Sequence, residues 1–449
     1  MYVVIIGMGQ VGRHVVRTLE WERHDIVVID RDPVAIRQVE EQHDVMTLQG
    51  YGASQAILDK ARVGDADLVV ACTNHDEVNL LAALASRRMG ARRVIARVQG
   101  NEWAGTDDGA GVHYGLLGVD VVFNPRVLLA QELAKIAQSH GALEVVDVAN
   151  SRIEVVQMEL GTSSRMLQRT LKNLGLPRGV LIGAIVRDGE LRVPGGGDVL
   201  RPQDRIYLVG TPDTMLQAED LFTTSREARR VCIVGGGVVG EALARMLRRT
   251  DTEVMLIERD RARAEALAAS LAHVTVVHGD GTDLSLLEEE GVGSYDLLAA
   301  VSHEDEVNLM AGLLAKRQGV GRVATLVHRP DYLDIYRQLG VDVALSPRIV
   351  ASDHILRFCR QKELQSLTLL EEGKAEILEI IAHPDARVVG VPVRQMGVPR
   401  GALLCALIRE DDVVIPSGND TIVAGDTVVV LTTPEARPAV ARMFRKRSI

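Results

Sequence analysis

Tyr2-Val-Val-Ile-Ile-Gly7-Met8-Gly9-Gln10-Val11-Gly12 opens the chain, and its reading decides the fold. An uncharged apolar run breaks at Gly7 into a glycine-spaced turn. Arg13-His-Val-Val-Arg-Thr-Leu-Glu20 follows, with its apolar residues at helical spacing. A buried strand that feeds a helix through G-x-G-x-x-G is the phosphate-binding corner of a dinucleotide fold. Gly7 permits the tight turn, Gly9 lets a pyrophosphate approach the backbone, and Gly12 lets the helix pack closely on the strand. The pyrophosphate sits on the unpaired N–H groups of the Met8–Gly12 turn, at the positive end of the helix dipole. Asp30 closes the next apolar run, Ile26-Val-Val-Ile29, 18 residues beyond Gly12. A carboxylate there accepts hydrogen bonds from an adenosine ribose and repels a 2′-phosphate, which favours NAD(H) or an adenine nucleotide over NADP(H).

The pattern occurs twice. Val231-Cys-Ile-Val-Gly235-Gly-Gly237-Val238-Val239-Gly240 repeats the opening 228 residues later, and the same shift turns Asp30-Arg31 into Glu258-Arg259. Gly50-Tyr51-Gly52 returns as Gly279-Asp280-Gly281. Asn74-His-Asp-Glu77-Val-Asn79 returns as His303-Glu-Asp-Glu306-Val-Asn308, and Asn124-Pro-Arg126 as Ser346-Pro-Arg348. The echo continues in Leu174–Gly179 against Met396–Gly401 and in Ala184–Arg187 against Ala406–Arg409. Within the first copy, apolar runs at Tyr2–Ile6, Asp25–Ile29, Val45–Gln49, Asp67–Cys72, Arg93–Val98 and Val119–Phe123 alternate with amphipathic segments. That alternation predicts an α/β chain with two Rossmann-like, doubly wound parallel-sheet domains. Each is followed by a small α+β domain with turn signals at Arg187-Asp-Gly189, Pro194–Gly197 and Pro416-Ser-Gly418. The boundaries read as 1–140, 141–225, 229–362 and 363–449, joined in the middle by the polar stretch 223–230. Asn124 reads as an N-cap with Pro125 at the first helical position. The helices near 126–139 and 348–361 have two readings, packing on their own domain or against a partner subunit.

Hydrophobic residues make up 47% and charged residues 25% of the 449, a globular balance, and the net charge of −10 argues against general nucleic-acid binding. The four cysteines are widely separated without a C-x-x-C, which fits a reducing, intracellular protein, and Cys232 lies in an apolar strand where a buried hydrophobe is expected. The chain begins in a strand, with no signal peptide, and no apolar run reaches the length of a membrane span.

The candidate sites cluster around the two glycine turns. Asp30 and Glu258 are ribose ligands, or else strand-end residues that cap the next helix. Arg31 and Arg259 stack on the adenine, or are exposed without a specific partner. Thr73, Asn74 and Glu77 follow a buried strand at the ligand-binding edge of the sheet, as do Ser302 and Glu306. There Thr73 or Asn74 is expected to cap the helix, with Asp76 or Glu77 reaching back, and to touch the ligand secondarily. The Gly50-Tyr51 and Gly279-Asp280 turns flank the adenine, with Asp280 on its exocyclic amine, or are plain strand-to-helix turns. Arg97 ends a strand where the second copy has Leu326; an Arg97 that meets a phosphate makes the two sites chemically unequal. The histidines show no metal spacing: His14 is expected to face solvent, and His113 falls in an insertion, 105–115, that the second copy lacks. No acid–base pair accompanies the turns, so no catalytic or metal residue is assigned and a sensing role is favoured over catalysis.

On Gly7–Gly12 with Asp30, the run Thr73–Asn79, Gly118-Val-Asp120 with Pro125, and the repetition of all these, the chain resembles the TrkA family over essentially its whole length. These are the cytoplasmic nucleotide-binding subunits of bacterial Trk potassium uptake systems. They are built from regulator-of-potassium-conductance (RCK) domains, each a Rossmann-type N-domain with a small C-domain. The resemblance implies a homotetrameric gating ring under a membrane-embedded TrkH or TrkG potassium channel subunit, peripheral to the inner face of the plasma membrane. It implies NAD(H), ATP or ADP as ligands, with Gly7, Gly9, Gly12 and Asp30 holding one nucleotide and Gly235, Gly237, Gly240 and Glu258 the second. The second copy departs from the pattern at Gly236 and Leu326. An NAD-dependent oxidoreductase and a nucleotide-sensing scaffold for another transporter are the alternatives.

Overall fold

The computed structural model describes residues 1–445 apart from 22–23, 101–102, 104–111, 150, 163, 224–227, 249–251, 360–365 and 411. The stretch 224–227 of the central join and 105–111 of the insertion therefore lie outside the described residues. In the first half the Val/Ile-rich runs become β1 (Tyr2–Ile6), β2 (Asp25–Asp30), β3 (Met46–Gln49), β4 (Leu68–Ala71), β5 (Val94–Arg97), β6 (Val112–Tyr114) and β7 (Val121–Phe123). Helices α1 (Gln10–Trp21), α2 (Pro33–Gln42), α3 (Gln55–Lys60), α4 (Asp76–Met89) and α5 (Pro125–Gln138) connect or follow them. The sheet order is β3-β2-β1-β4-β5-β7-β6. β1 thus lies between β2 and β4, both parallel to it, and this reversal of strand order opens a crevice at the carboxyl ends of β1 and β4. Because helices cover both faces, β1 and β4 are buried almost throughout and read as continuous apolar runs rather than alternating ones. One strand was not expected: β6, from the insertion, pairs antiparallel with β7 at the sheet edge.

The small domain that follows contains β8 (Glu144–Val148), β9 (Ile153–Glu159), β10 (Val180–Arg187), β11 (Glu190–Arg192), β12 (Arg205–Gly210) and α6 (Pro212–Phe222). Its antiparallel sheet runs β11-β10-β12-β9-β8. Asp188 and Gly189, both at positive φ, make the two-residue hairpin between β10 and β11 that the sequence signals.

The second half repeats both architectures. β13 (Arg230–Val234), β14 (Glu253–Glu258), β15 (Val274–His278), β16 (Leu297–Ala300), β17 (Arg322–Leu326) and β18 (Val343–Leu345) form a parallel sheet in the order β15-β14-β13-β16-β17-β18. Its helices are α7 (Val238–Leu247), α8 (Arg261–Ser270), α9 (Leu284–Glu289), α10 (Asp305–Gln318), α11 (Leu333–Gln338) and α12 (Pro347–Cys359). Then come β19 (Ser366–Leu370), β20 (Ala375–Ile381), β21 (Ala402–Arg409), β22 (Asp412–Val414), β23 (Thr427–Thr432) and α13 (Arg437–Phe444), with strand order β19-β20-β23-β21-β22. The α/β class and the duplicated architecture are as the sequence predicts.

The chain forms two compact units, each built from like domains of both halves. One comprises Met1–Ala134 with Ala228–Cys359, the other Lys135–Glu227 with Arg360–Ile449. In the first unit α12 packs on α1 of the other Rossmann-like domain, and the His354 ring lies 4.9 Å from that of Phe123 at the end of β7. Neither expected reading of this helix anticipated a cover supplied by the other half of the same chain. At α5 the Asn124 side chain accepts from Arg126 N at 3.0 Å, and Pro125 stands at the helix start as expected. In the second unit the small sheets share one core, in which Val155, Ala184, Tyr207 and Val209 meet Ile377, Cys405, Ala406 and Leu431. A Cβ at Gly183 would lie 2.9 Å from Leu431 Cδ1, so the sheets approach too closely there for a larger residue. Each small domain also pins its hairpin with a bidentate pair to a buried aspartate. Arg187 donates twice to Asp204 at 2.7 Å, and Arg409 twice to Asp426 at 2.9 Å. Burial opposes ionisation of Asp204, but Arg187 and the Arg201 amide outweigh it and hold the carboxyl below its usual range. Asp426 is held low in the same way by Arg409 and the Val423 amide.

Candidate functional site

Each Rossmann-like domain turns from its first strand into its first helix with the same backbone geometry. Gly7 sits at φ +104° and donates to Ile29 O at 2.8 Å; Gly235 sits at φ +107° and donates to Ile257 O at 2.9 Å. A Cβ at Gly12 would lie 2.0 Å from Gly7 O, and one at Gly240 equally close to Gly235 O, so only glycine lets each helix start there. At Gly9, by contrast, a Cβ would meet nothing within 4 Å, and at Gly237 only His303 Nε2 at 3.7 Å. The fold does not need glycine at those two positions. The space they leave lies over the first-turn amides of α1, from Gln10, Val11 and Gly12, and of α7, from Val238, Val239 and Gly240, whose N–H groups have no intrahelical acceptor. That is the space a pyrophosphate needs.

The departure at Gly236 has a packing cause. Met8 is buried in the first turn, whereas a Cβ at the equivalent Gly236 would lie 2.3 Å from Leu267 Cδ1. Leu267 stands where the first domain has the smaller Val39. The first copy thus combines Met8 with Val39, and the second combines Gly236 with Leu267, whose side chain fills the space a Cβ at Gly236 would need.

Asp30 and Glu258 close their strands beside the turns. Asp30 Oδ2 accepts from Met8 N at 2.5 Å and Oδ1 from Asp32 N at 2.8 Å. Glu258 does the same with Gly236 N at 2.7 Å and Asp260 N at 2.8 Å. The helix caps are Asp32 and Asp260, whose side chains accept from Val34 N and Arg263 N, so the capping alternative for Asp30 and Glu258 is corrected. A carboxylate has about four acceptor positions, which leaves each of these two able to take ribose hydroxyls while it holds the turn.

The loop after β4 is organised differently from the expected cap. Helix α4 begins after His75, and α10 after Glu304, neither with a side-chain cap bond. Fully buried Asn79 reaches back instead: its Oδ1 accepts from Thr73 N and Oγ1, while its Nδ2 donates to Thr73 O and Arg97 O. Asn308 makes the matching bonds to Ser302 N, Ser302 O and Leu326 O. Asp76 reaches forward to Gln99 N and Gly100 N, and Asp305 to His328 and Arg329 N. These four residues tie the loops after β4 and β5, and after β16 and β17, into one edge. Asn79 and Asn308 are not marked as site residues in the sequence, because a polar residue inside a helix pattern carries no local signal of a bond to the next loop. Asn74, Glu77 and Glu306 are exposed at this edge.

Arg97 is half-buried at the end of β5. Its Nε is buried without a hydrogen-bond partner, and Nη1 reaches Thr73 O only at 3.4 Å. Burial works against its charge and lowers its pKa, while Cys72 and Asp76 support it. Burial pushes the Cys72 thiol up to about 12; Arg97 opposes that rise and Asp30 adds to it, which places both within electrostatic reach of one residue. An underbonded cation thus shares the carboxyl edge with the Asp30 carboxylate, a donor set that fits an anionic nucleotide. Arg31 Nη2 lies 3.3 Å from His75 Nε2, and Arg259 Nη2 donates to Glu304 Oε1 at 3.1 Å, so both have specific partners. Gly50 N and Gly279 N donate to Asp30 O and Glu258 O, which holds each turn beside its carboxylate; Tyr51 is exposed. Asp280 Oδ1 is engaged by Thr282 N and Oγ1. His14 is half-buried rather than solvent-facing, and burial together with Arg17 pushes its imidazole down to about 4. His113 lies exposed on β6. Cys232 is fully buried as expected, and burial pushes its thiol up to about 12. Among the described residues no group of three His, Cys, Asp or Glu is arranged to hold a metal, and no helix is long and apolar enough to cross a membrane.

Fold and site together define a tandem Rossmann-type chain with paired small α+β domains and a glycine turn in each half. The TrkA-N domain model matches residues 3–125 and 231–347, and the TrkA-C domain model matches 155–223 and 377–445. The chain belongs to the TrkA family. It is 34% identical over 445 residues to the Trk system potassium uptake protein TrkA homolog of Archaeoglobus fulgidus, covering 99% of this chain and 100% of that one. To the Trk system potassium uptake protein TrkA of Halomonas elongata it is 30% identical over 458 residues, covering 99% of each. Among solved structures, the GsuK RCK domain matches with a TM-score of 0.62 at 18% identity, covering 99% of this chain and 94% of that one. The GsuK channel bound to NAD matches at 0.64 and 19%, covering 99% and 78%.

Proposed function

We propose that this chain is the nucleotide-sensing regulatory subunit of a potassium uptake system. In this reading it assembles as a homotetrameric ring at the cytoplasmic face of the membrane and gates a TrkH/TrkG-type pore. NAD(H), ATP or ADP bind over the two glycine turns, on the first-turn amides and on Asp30 and Glu258. The observation that carries this reading is the pair of open cradles at Gly9 and Gly237, each beside a strand-end carboxylate, in a chain of the TrkA family. The first turn's helix, α1, packs on α12 from the other half. A nucleotide that changes that turn is therefore placed to change the packing between domains. Gating follows by linkage: a nucleotide that binds one ring shape better shifts the population toward it, and one indifferent to shape shifts nothing.

The test is reconstitution with a Trk-type channel subunit in liposomes, reading rubidium or potassium flux as each nucleotide is added. Flux that responds to nucleotide, with the response lost in Gly9→Asp or Gly237→Asp, is the expected result. Flux indifferent to every nucleotide sinks the gating reading. Consumption of NADH with a second substrate, abolished by Asp30→Ala, would favour the oxidoreductase alternative instead.

A further inference from the structure

Several positions bordering the two glycine turns have diverged in charge. Arg13, Tyr51, His75 and Arg97 in the first domain correspond to Glu241, Asp280, Glu304 and Leu326 in the second. The contacts place these residues at the turns. Arg13 follows Gly12, and its Nε donates to Met8 O at 3.0 Å, which seats a cation on the turn itself. Glu241 follows Gly240 and accepts from Arg245 at 2.7 Å and from Arg263 at 2.6 Å, while Arg263 Nε donates to Gly236 O at 2.9 Å. Both turns therefore carry a guanidinium on the equivalent carbonyl, and the second adds a carboxylate, Glu241, tied to two arginines. Glu304 likewise engages Arg259, whereas the equivalent Arg31 lies beside an imidazole. The Asp280 carboxyl is held below the usual range by Thr282, so it keeps its charge. Finally, the half-buried guanidinium of Arg97 is replaced by the hydrocarbon of Leu326. The hydrogen-bonded scaffold of both turns is unchanged, so the difference falls on the ligand's charge.

We propose that the first glycine turn takes a nucleoside polyphosphate, with ATP preferred, and that the second takes the less negatively charged dinucleotide NAD⁺. The proposal rests on the nucleotide-binding reading above. A chain of phosphates laid over the second turn meets Glu241 and Glu304 with their arginines already engaged. A dinucleotide with a cationic nicotinamide carries less charge to be repelled. At the first turn the underbonded Arg97, which has no cationic counterpart in the second, rewards each added phosphate.

Calorimetric titration of the full chain with ATP and with NAD⁺ tests this. Gly9→Asp and Gly237→Asp assign the events, since a Cβ fits at both positions without a steric clash. The expected result is ATP at least about tenfold tighter at the turn that Gly9→Asp blocks, and NAD⁺ tighter by a similar factor at the turn that Gly237→Asp blocks. Arg97→Leu should weaken ATP about tenfold and leave the second NAD⁺ event alone. Glu241→Gln combined with Glu304→Gln should admit ATP at the second turn. Added salt should weaken ATP more than NAD⁺. Equal ATP affinity at both turns, or NAD⁺ binding removed by Gly9→Asp alone, overturns the assignment while leaving two nucleotide sites intact. Failure of one nucleotide alone to bind overturns the assignment, and failure of both overturns the nucleotide reading and this proposal together.

Discussion

The two Rossmann-like domains keep different things. What holds the backbone is retained almost atom for atom: Gly7 and Gly235 at positive φ, Gly12 and Gly240 against a carbonyl, Asn79 and Asn308 bridging two loops. Buried packing is kept with different residues, as Met8 with Val39 against Gly236 with Leu267 shows. The positions facing the crevice are kept least, as Arg97 against Leu326 shows. A duplicated fold is constrained hardest where a backbone group would otherwise lose its partner, and least where only a ligand would notice.

That contrast can be broken at its firmest point first. Gly12→Ala and Gly240→Ala each put a methyl 2.0 Å from a carbonyl oxygen that no rotamer change relieves. Each should cost roughly 3 kcal/mol or more in chemical unfolding, and by similar amounts in the two halves. A tolerated alanine at either position would mean that the turns are not equivalent. Asn79→Ala and Asn308→Ala strand the amides and carbonyls of two loops, and about 3 kcal/mol is expected for each by the same measurement. Unequal losses would show that one loop is held by something else. The packing exchange is sharpened by a double-mutant cycle. Gly236→Met should destabilise through overlap with Leu267, and adding Leu267→Val should recover about 1–2 kcal/mol. Strict additivity would reject the compensation.

The smallest effects are pH-dependent. His14 in the folded chain titrates near 4 against 6.5 in the open chain, so the unfolded state binds the extra proton between those values. Stability should therefore fall as the pH drops from about 6.5 toward 4, and His14→Gln should flatten that slope. Below about 4, the depressed carboxyls of Asp204 and Asp426 add a second loss, because their pairing stabilises the fold only while they are ionised. A stability curve flat from pH 7 to 3 would contradict both.

Much of this was legible in the sequence because the signals are local. Uncharged runs, glycine spacing and a strand-end carboxylate gave β1, α1 and Asp30, and repetition gave the second copy. The illegible part depends on distance along the chain. Asp76 looks like a helix cap because it sits one residue into α4, yet its partners are the amides of Gln99 and Gly100. Arg187 reads as the start of a turn until Asp204 is placed against it. The edge strand β6 is short and exposed and carries no apolar run, so nothing in its composition marks a strand. The common core of the two small sheets joins segments more than two hundred residues apart, beyond the reach of periodicity.

The most direct test of the account is a calorimetric titration of the wild-type chain with NADH, NAD⁺, ATP and ADP beside Asp30→Ala and Glu258→Ala, with each variant's folding checked by its melting curve. The account predicts two binding events in the wild type and the loss of one event in each variant. Binding that survives both substitutions, or no binding at all, would contradict the assignment of the two turns as nucleotide sensors.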